Sequence, residues 1–146
     1  MTRLHALDAV WLELESGSPA LAPGAVCVLD GPPPPVAQVR AMVAERLHRA
    51  PSLSWVLDHD SSLRRPVWRE GVTPDLAYHV TSHRVGAAAQ ALAAHVSAYM
   101  ELPLDQSRPL WDMRIVRGLA HDQWALLWRL HHSVADGIGA RAVMGH

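Results

Sequence analysis

The chain has 146 residues, 49% hydrophobic and 18% charged, with a net charge of −1, which describes one globular domain and excludes a disordered chain. No basic block is present, so nucleic acid is not expected as a partner. All thirteen basic residues are arginine, excluding Schiff-base and P-loop lysine chemistry, and Cys27 is the sole cysteine, excluding an internal disulfide and a thiolate zinc site.

Asp8, Glu13 and Glu15 stand where a signal peptide needs a basic start and a long apolar core, and no apolar run approaches the ~20 residues of a membrane span. A cytoplasmic chain is expected, with peripheral membrane contact left open.

In chain order, apolar residues at 4, 7, 10, 11 and 14 predict a short helix, followed by a Pro/Gly/Ser loop over 16–24. Residues 25–29 predict a buried strand closed by Asp30 and Gly31. Four prolines, 32 to 35, introduce a helix with Val36, Val39, Val43 and Leu47 in one stripe, limited by Pro51. The signal weakens over 52–81, where 66–68 and 78–80 read as short strands around a loop at 71–75. A second, alanine-rich helix is predicted over 86–102, with Leu92, Val96 and Tyr99 on its buried side and Pro103 as its stop. Trp111, Met113 and Ile115 alternate with Asp112, Arg114 and Val116 as a strand with one core face. A hairpin loop at 118–122 leads into a strand from Trp124, and 138–144 begins a further helix. The expected fold is a layered α/β domain, a two-layer α+β sandwich.

The stretch that draws the chain together is Leu130-His131-His132-Ser133-Val134-Ala135-Asp136-Gly137. A strand ending in histidine and breaking into an Asp-Gly turn delivers an imidazole to a cleft, and neutral imidazole suits proton removal near pH 7. Strand alternation places Trp124, Leu126, Trp128, Leu130 and His132 on one face. If the strand persists through 132, His132 points into the protein and His131 away. His132 is therefore the expected base and His131 the expected structural neighbour. A metal at His131, His132 and Asp136 is not expected, because adjacent strand histidines point to opposite faces.

His131, His132, Asp136 and Gly137 carry the HHxxxDG signature of the CoA-dependent acyltransferase superfamily, which is similar in fold to chloramphenicol acetyltransferase and includes peptide-synthetase condensation domains. The block from Leu104 through Asp105, Ser107 and Arg108 to Trp111 resembles the "LDxSRPLW" of the bacterial wax ester synthase/diacylglycerol acyltransferase family. Leu7 to Glu15 is similar to its opening "LDAxFLxLE", and Tyr78-His79-Val80 to its "YHV".

The resemblance covers essentially the whole chain and corresponds to an N-terminal acyltransferase subdomain over 1–146, with the C-terminal subdomain absent. It implies acyl transfer from acyl-CoA, as substrate and with no cofactor, to diacylglycerol or a long-chain alcohol; peripheral contact with a membrane or lipid droplet is left open. His132 is the implied general base, within a catalytic set of His131, His132 and Asp136. Asp136 takes a structural, arginine-paired role and Gly137 permits the tight turn. Asp105 and Arg108 are structural or substrate-contacting candidates that fix the loop into the Trp111 strand. The family's "P-x-L-R" arginine is missing, since Pro51-Ser52-Leu53-Ser54 occupies that place, and Arg49, Arg108 and Arg114 are the substitutes. Trp11 and Trp55 stand as candidates for an acyl channel or membrane border. The remaining histidines show no ligand spacing, and His95 reads as a core residue.

Two other functions stand beside this one. A non-catalytic fragment would bind lipid, a partner subdomain or a second copy of itself through an uncovered surface. A peptide-synthetase-like condensation domain would share HHxxxDG but not the block from Leu104 to Trp111.

Overall fold

The computed structural model describes residues 2–3, 22–59 and 66–135. The predicted helices at 4–14 and 138–144, Trp11, and the candidates Asp136 and Gly137 lie outside those residues.

A four-stranded sheet is the centre of the fold. Its order is β2 (Gly24–Asp30), β7 (Gln123–Leu130), β6 (Trp111–Arg117), β5 (Val80–Arg84), with β5 parallel to β6 and the other pairs antiparallel. A parallel neighbour needs a crossover, and helix α3 (Ala89–Glu101) supplies it between β5 and β6. A smaller antiparallel sheet joins β1 (Thr2–Arg3), β4 (Val67–Arg69) and β3 (Val56–Asp58). Helix α1 (Val36–Arg46) and the short α2 (Leu76–His79) and α4 (His132–Ala135) complete the elements, with 3-10 turns at Leu47–Arg49 and Pro51–Ser54.

The elements follow from local chemistry. Pro35 precedes α1 and fixes an extended entry, after which Val36, Val39, Val43 and Leu47 return every three or four residues to the core. Leu102 is already extended before Pro103, which ends α3 where the sequence predicts. Residues 78–80 divide. Asp75 caps α2 by accepting a hydrogen bond from Ala77 N at 3.1 Å, so Tyr78 and His79 lie in a helical turn and the strand starts only at Val80.

Both faces of the central sheet are covered, each by its own apolar cluster. One holds Trp111, Ile115 and Leu130 with Val39 of α1, Val80, and Leu57 and Trp68 of the small sheet. The other holds Val116, Ala125 and Leu127 under Tyr99, Leu92 and Val96 of α3. The layered α/β architecture is as expected. The single core face expected for the 111–116 strand is not, because Val116 is as inaccessible as Ile115. The 25–29 strand is also not buried. As β2 it is an edge of the sheet, with Val26, Val28 and Leu29 exposed.

Candidate active site

The histidine pair sits where β7 ends. Leu130 is still paired with Trp111, and the next residue has left the strand. His131 N donates to Leu110 O at 3.0 Å, which holds the backbone against the entry to β6. Its imidazole is fully buried, with Nδ1 2.6 Å from Ser133 Oγ and 3.1 Å from Ser133 N. A backbone N–H only donates, so Nδ1 is the acceptor and the neutral ring carries its proton on Nε2. An acceptor satisfying the amide two residues later is what an N-cap does, and Val134 N returns to His131 O at 3.0 Å to close the first turn. His131 thus starts α4.

That start reverses the orientation expected from alternation. His132 opens the helix and is exposed, whereas His131 is inside. The period-two argument needed the strand to run through 132, and it stops two residues earlier. Nor is β7 apolar on one face alone. Ala125, Leu127 and Arg129 are buried on the α3 side, while Trp124, Leu126 and Trp128 pack partly buried against the opposite cluster.

Beneath the pair lies a polar cluster that the sequence reading missed. Arg129, 3% exposed, reaches Asp112 with Nη2 2.6 Å from Oδ2 and Nε 3.0 Å from Oδ1, a two-pronged pair across the β6–β7 ladder. Its Nη1 donates to the carbonyls of Tyr99 (2.8 Å) and Leu102, meeting the carbonyls at the α3 C-terminus. The Tyr99 hydroxyl donates to Asp112 Oδ1, and burial together with that carboxylate pushes its pKa far up. The signal available was opposite charges at 112 and 129 in one predicted hairpin. A symmetric loop at 118–122 would have set Asp112 against Trp128, one residue out of register. His121 and Asp122, both at positive φ, shape the actual loop.

The block before β6 forms a braced turn. Asp105 Oδ1 accepts from Ser107 N (2.9 Å) and Ser107 Oγ (2.6 Å), hydrogen bonds that hold its carboxyl below the usual range. Arg108 lies 3.3 Å from Asp105 and 3.7 Å from Asp75, with its guanidinium 4.1 Å over the Tyr78 ring. Arg114 rests over Tyr99 and contacts Thr81 and His95. These are the observed engagements of two arginines proposed as partners for Asp136. Arg49 is an exposed residue beside the first 3-10 turn.

His79 completes the support. It is fully buried and stacked on Trp111 at 4.5 Å, and its Nδ1–H donates to Trp111 O at 2.7 Å. Its Nε2 meets no hydrogen-bond partner among the described residues. Burial lowers its pKa, with the Trp111 hydrogen bond opposing, because protonation would create a buried N–H without an acceptor.

A separate, open cavity of about 430 Å³ is lined by Leu47, His48, Pro51, Ser54, Trp55, Glu70 and Gly71. Trp55 leans on Trp68 at 6.2 Å there. Among the described residues no three His, Cys, Asp or Glu are grouped to hold a metal ion.

The sequence model of the "Wax ester synthase/diacylglycerol acyltransferase catalytic domain" matches residues 4–146. A probable diacylglycerol O-acyltransferase (tgs1) of Mycobacterium tuberculosis H37Rv is 33% identical over 156 residues, which cover 96% of this chain and 31% of the relative. Among solved structures, the wax ester synthase/diacylglycerol acyltransferase of Marinobacter aquaeolei VT8 superposes with a TM-score of 0.78 at 28% identity, over 96% of this chain and 35% of that one. A starter condensation domain of the rhizomide synthetase (a mutant form) follows with a TM-score of 0.74 at 25% identity, over 98% and 35%. The chain thus spans about a third of the length of the relatives it matches.

Proposed function

Because the chain belongs to the wax ester synthase/diacylglycerol acyltransferase catalytic-domain family, we propose that it forms the histidine-bearing part of an O-acyltransferase. The enzyme would move a fatty acyl group from acyl-CoA to diacylglycerol or a long-chain alcohol, with triacylglycerol or wax ester as product. The observation that carries this is the placement of His132. It is exposed on the first residue of α4, while its neighbour His131 is locked into the core as that helix's cap.

His132 is the general base in this reading. It takes the proton of the acceptor hydroxyl as that oxygen attacks the thioester carbonyl. The new C–O bond forms, the C–S bond breaks, and the proton passes to the departing CoA thiolate. Such proton transfer contributes ~10²–10⁴-fold, and aligning the two substrates supplies more. Acyl-CoA is a substrate, and the reaction calls for no further cofactor. Asp136 and Gly137 belong to the same motif, and Asp105 and Arg108 brace the loop beside it. A C-terminal subdomain would supply the other wall of the substrate channel. Lipid substrates would be met by peripheral contact with a membrane or lipid droplet; among the described residues no helix is long and apolar enough to cross a membrane.

The test is release of CoA thiol by the purified chain with palmitoyl-CoA and either hexadecanol or diolein, beside His132→Ala. Turnover lost in the variant supports the reading, and equal turnover in the variant removes His132 from the mechanism. A second reading is a non-catalytic piece that binds lipid or a partner subdomain, favoured by the exposed Val26, Val28 and Leu29 of the edge strand β2. Folded, inactive protein that gains activity when a C-terminal subdomain is added in trans restores the first reading. Folded protein that stays inactive with that subdomain present supports the second.

A further inference from the structure

Away from the histidine pair, three cation-forming side chains converge on the α3 side of β5. His83 of β5 and His95 of α3 stack with ring centroids 4.4 Å apart and planes 16° apart. Arg114 of β6 places Nη1 3.5 Å from His95 Nε2 and Nε 3.3 Å from Thr81 Oγ. His83 is exposed, while His95 and Arg114 are half-buried, so the group is open to solvent on one side. His83 is opposite Val116, and Val116 is five residues from Trp111, so about 17 Å of strand separates this place from the end of β7.

Among the described residues the charges around it are unbalanced. On β5 the facing groups are Thr81 and His83, on α3 His95 and Tyr99, and on β6 Arg114 and Asp112. From β7 comes Arg129. Asp112 is the only carboxylate of this set, and it is held by both Arg129 and the Tyr99 hydroxyl. The Arg114 guanidinium only donates, so His95 Nε2 accepts and the ring is neutral in this arrangement. Burial, then His83 and Arg114, lower the His95 pKa. An imidazolium here stands against a guanidinium with no anion of its own among the described residues.

We propose that His83, His95 and Arg114 form a phosphate-binding site whose occupation is coupled to proton uptake by its own stacked imidazoles. Arginine offers a planar set of donors suited to phosphate oxygens, and imidazolium adds a charged N–H. A phosphate dianion supplies the negative charge the cluster lacks. Imidazole gains its proton as pH falls from 7.5 to 6, which strengthens binding, while the change of the phosphate from dianion to monoanion over that range opposes it. The shared ligand chemistry is a phosphate group, whether inorganic phosphate or a phosphomonoester. The site stands independently of the acyltransferase reading.

The experiment follows the imidazole Hε1 resonances of the chain from pH 5.5 to 8 at fixed ionic strength, in chloride, in inorganic phosphate and in glycerol phosphate. The expected result is an upward move of the His95 midpoint by about half a pH unit in phosphate relative to chloride, with no phosphate response in the resonances of exposed His48 and His121. Arg114→Gln, and separately the surface change His83→Gln, should remove the phosphate effect on His95 while the remaining spectrum stays folded. A larger effect of glycerol phosphate assigns the site to a phosphomonoester, and an equal or smaller one assigns it to free phosphate. A His95 midpoint identical in chloride and in both phosphates, or an equal phosphate response at His48 and His121, overturns the proposal.

Discussion

Arg129 and Asp112 face each other across the β6–β7 ladder through two hydrogen bonds, at 2.6 and 3.0 Å, directly below the residues that lead into the histidine pair. The pair binds two central strands to the C-terminal end of α3, because the same guanidinium holds the Tyr99 and Leu102 carbonyls. Removing one member leaves the other charge buried, which costs about 3–5 kcal/mol. Asp112→Ala is expected to lose roughly that much in urea unfolding. The double change Asp112→Leu with Arg129→Met should lose less than the single one, since no lone charge remains. A single-variant loss below about 1 kcal/mol contradicts this role.

The adjacent histidines should respond in opposite ways. His131→Ala removes the α4 cap and opens a cavity, for an expected loss of roughly 2–4 kcal/mol, and His131→Asn should recover part of it. His132→Ala, at an exposed position, should change stability by no more than about 0.5 kcal/mol. Thermal unfolding of the three variants decides it. A large loss in His132→Ala would make its effect on activity a folding effect.

Stability should depend on pH through His79. Its folded-state pKa is depressed, chiefly by burial, from an ordinary 6.5. The unfolded chain therefore takes up the proton first as pH drops. The contribution of the neutral ring is complete above about pH 6.5 and is lost as pH falls toward the lower folded-state value. Urea midpoints between pH 7.5 and 5 should decline in the native chain and decline less in His79→Leu. An equal decline in both would place the pH sensitivity elsewhere.

Two glycines separate backbone strain from crowding. Gly71 has φ +71° with open space around it, whereas Gly118 has φ +86° and a Cβ there would collide with the Val85 carbonyl oxygen. Gly71→Ala should cost about 1–2 kcal/mol, the ordinary cost of the left-handed conformation. Gly118→Ala should cost clearly more, because backbone has to move, and comparison of the two melting temperatures reads the difference.

Much of the fold was legible in local pattern. The stripe from Val36 to Leu47, the span of α3 before Pro103 and the alternation from Trp111 to Val116 each encode an element through periodicity and a stop residue. The blocks around Leu104 to Trp111 and His131 to Gly137 point to the family by residue type and spacing alone, and the sequence model and solved relatives agree. Less was legible where covering elements matter. Residues 25–29 are apolar enough for a central strand, yet the topology leaves them at an edge. Asp112 and Arg129 look like a strand's polar side until α3 closes over them.

By itself, then, the sequence determined the secondary structure of its strongly periodic stretches, the chemistry available to it and its family. Those depend on residue type and spacing along the chain. Tertiary structure alone decided which histidine is buried, how β6 and β7 register, and that both faces of the sheet are covered. The reason is physical: alternation predicts a side only while a strand continues, and β7 ends at Leu130 because His131 is held by Leu110 O and caps the next helix through Ser133. The contact with Leu110 reaches back twenty-one residues along the chain, beyond what any local pattern encodes.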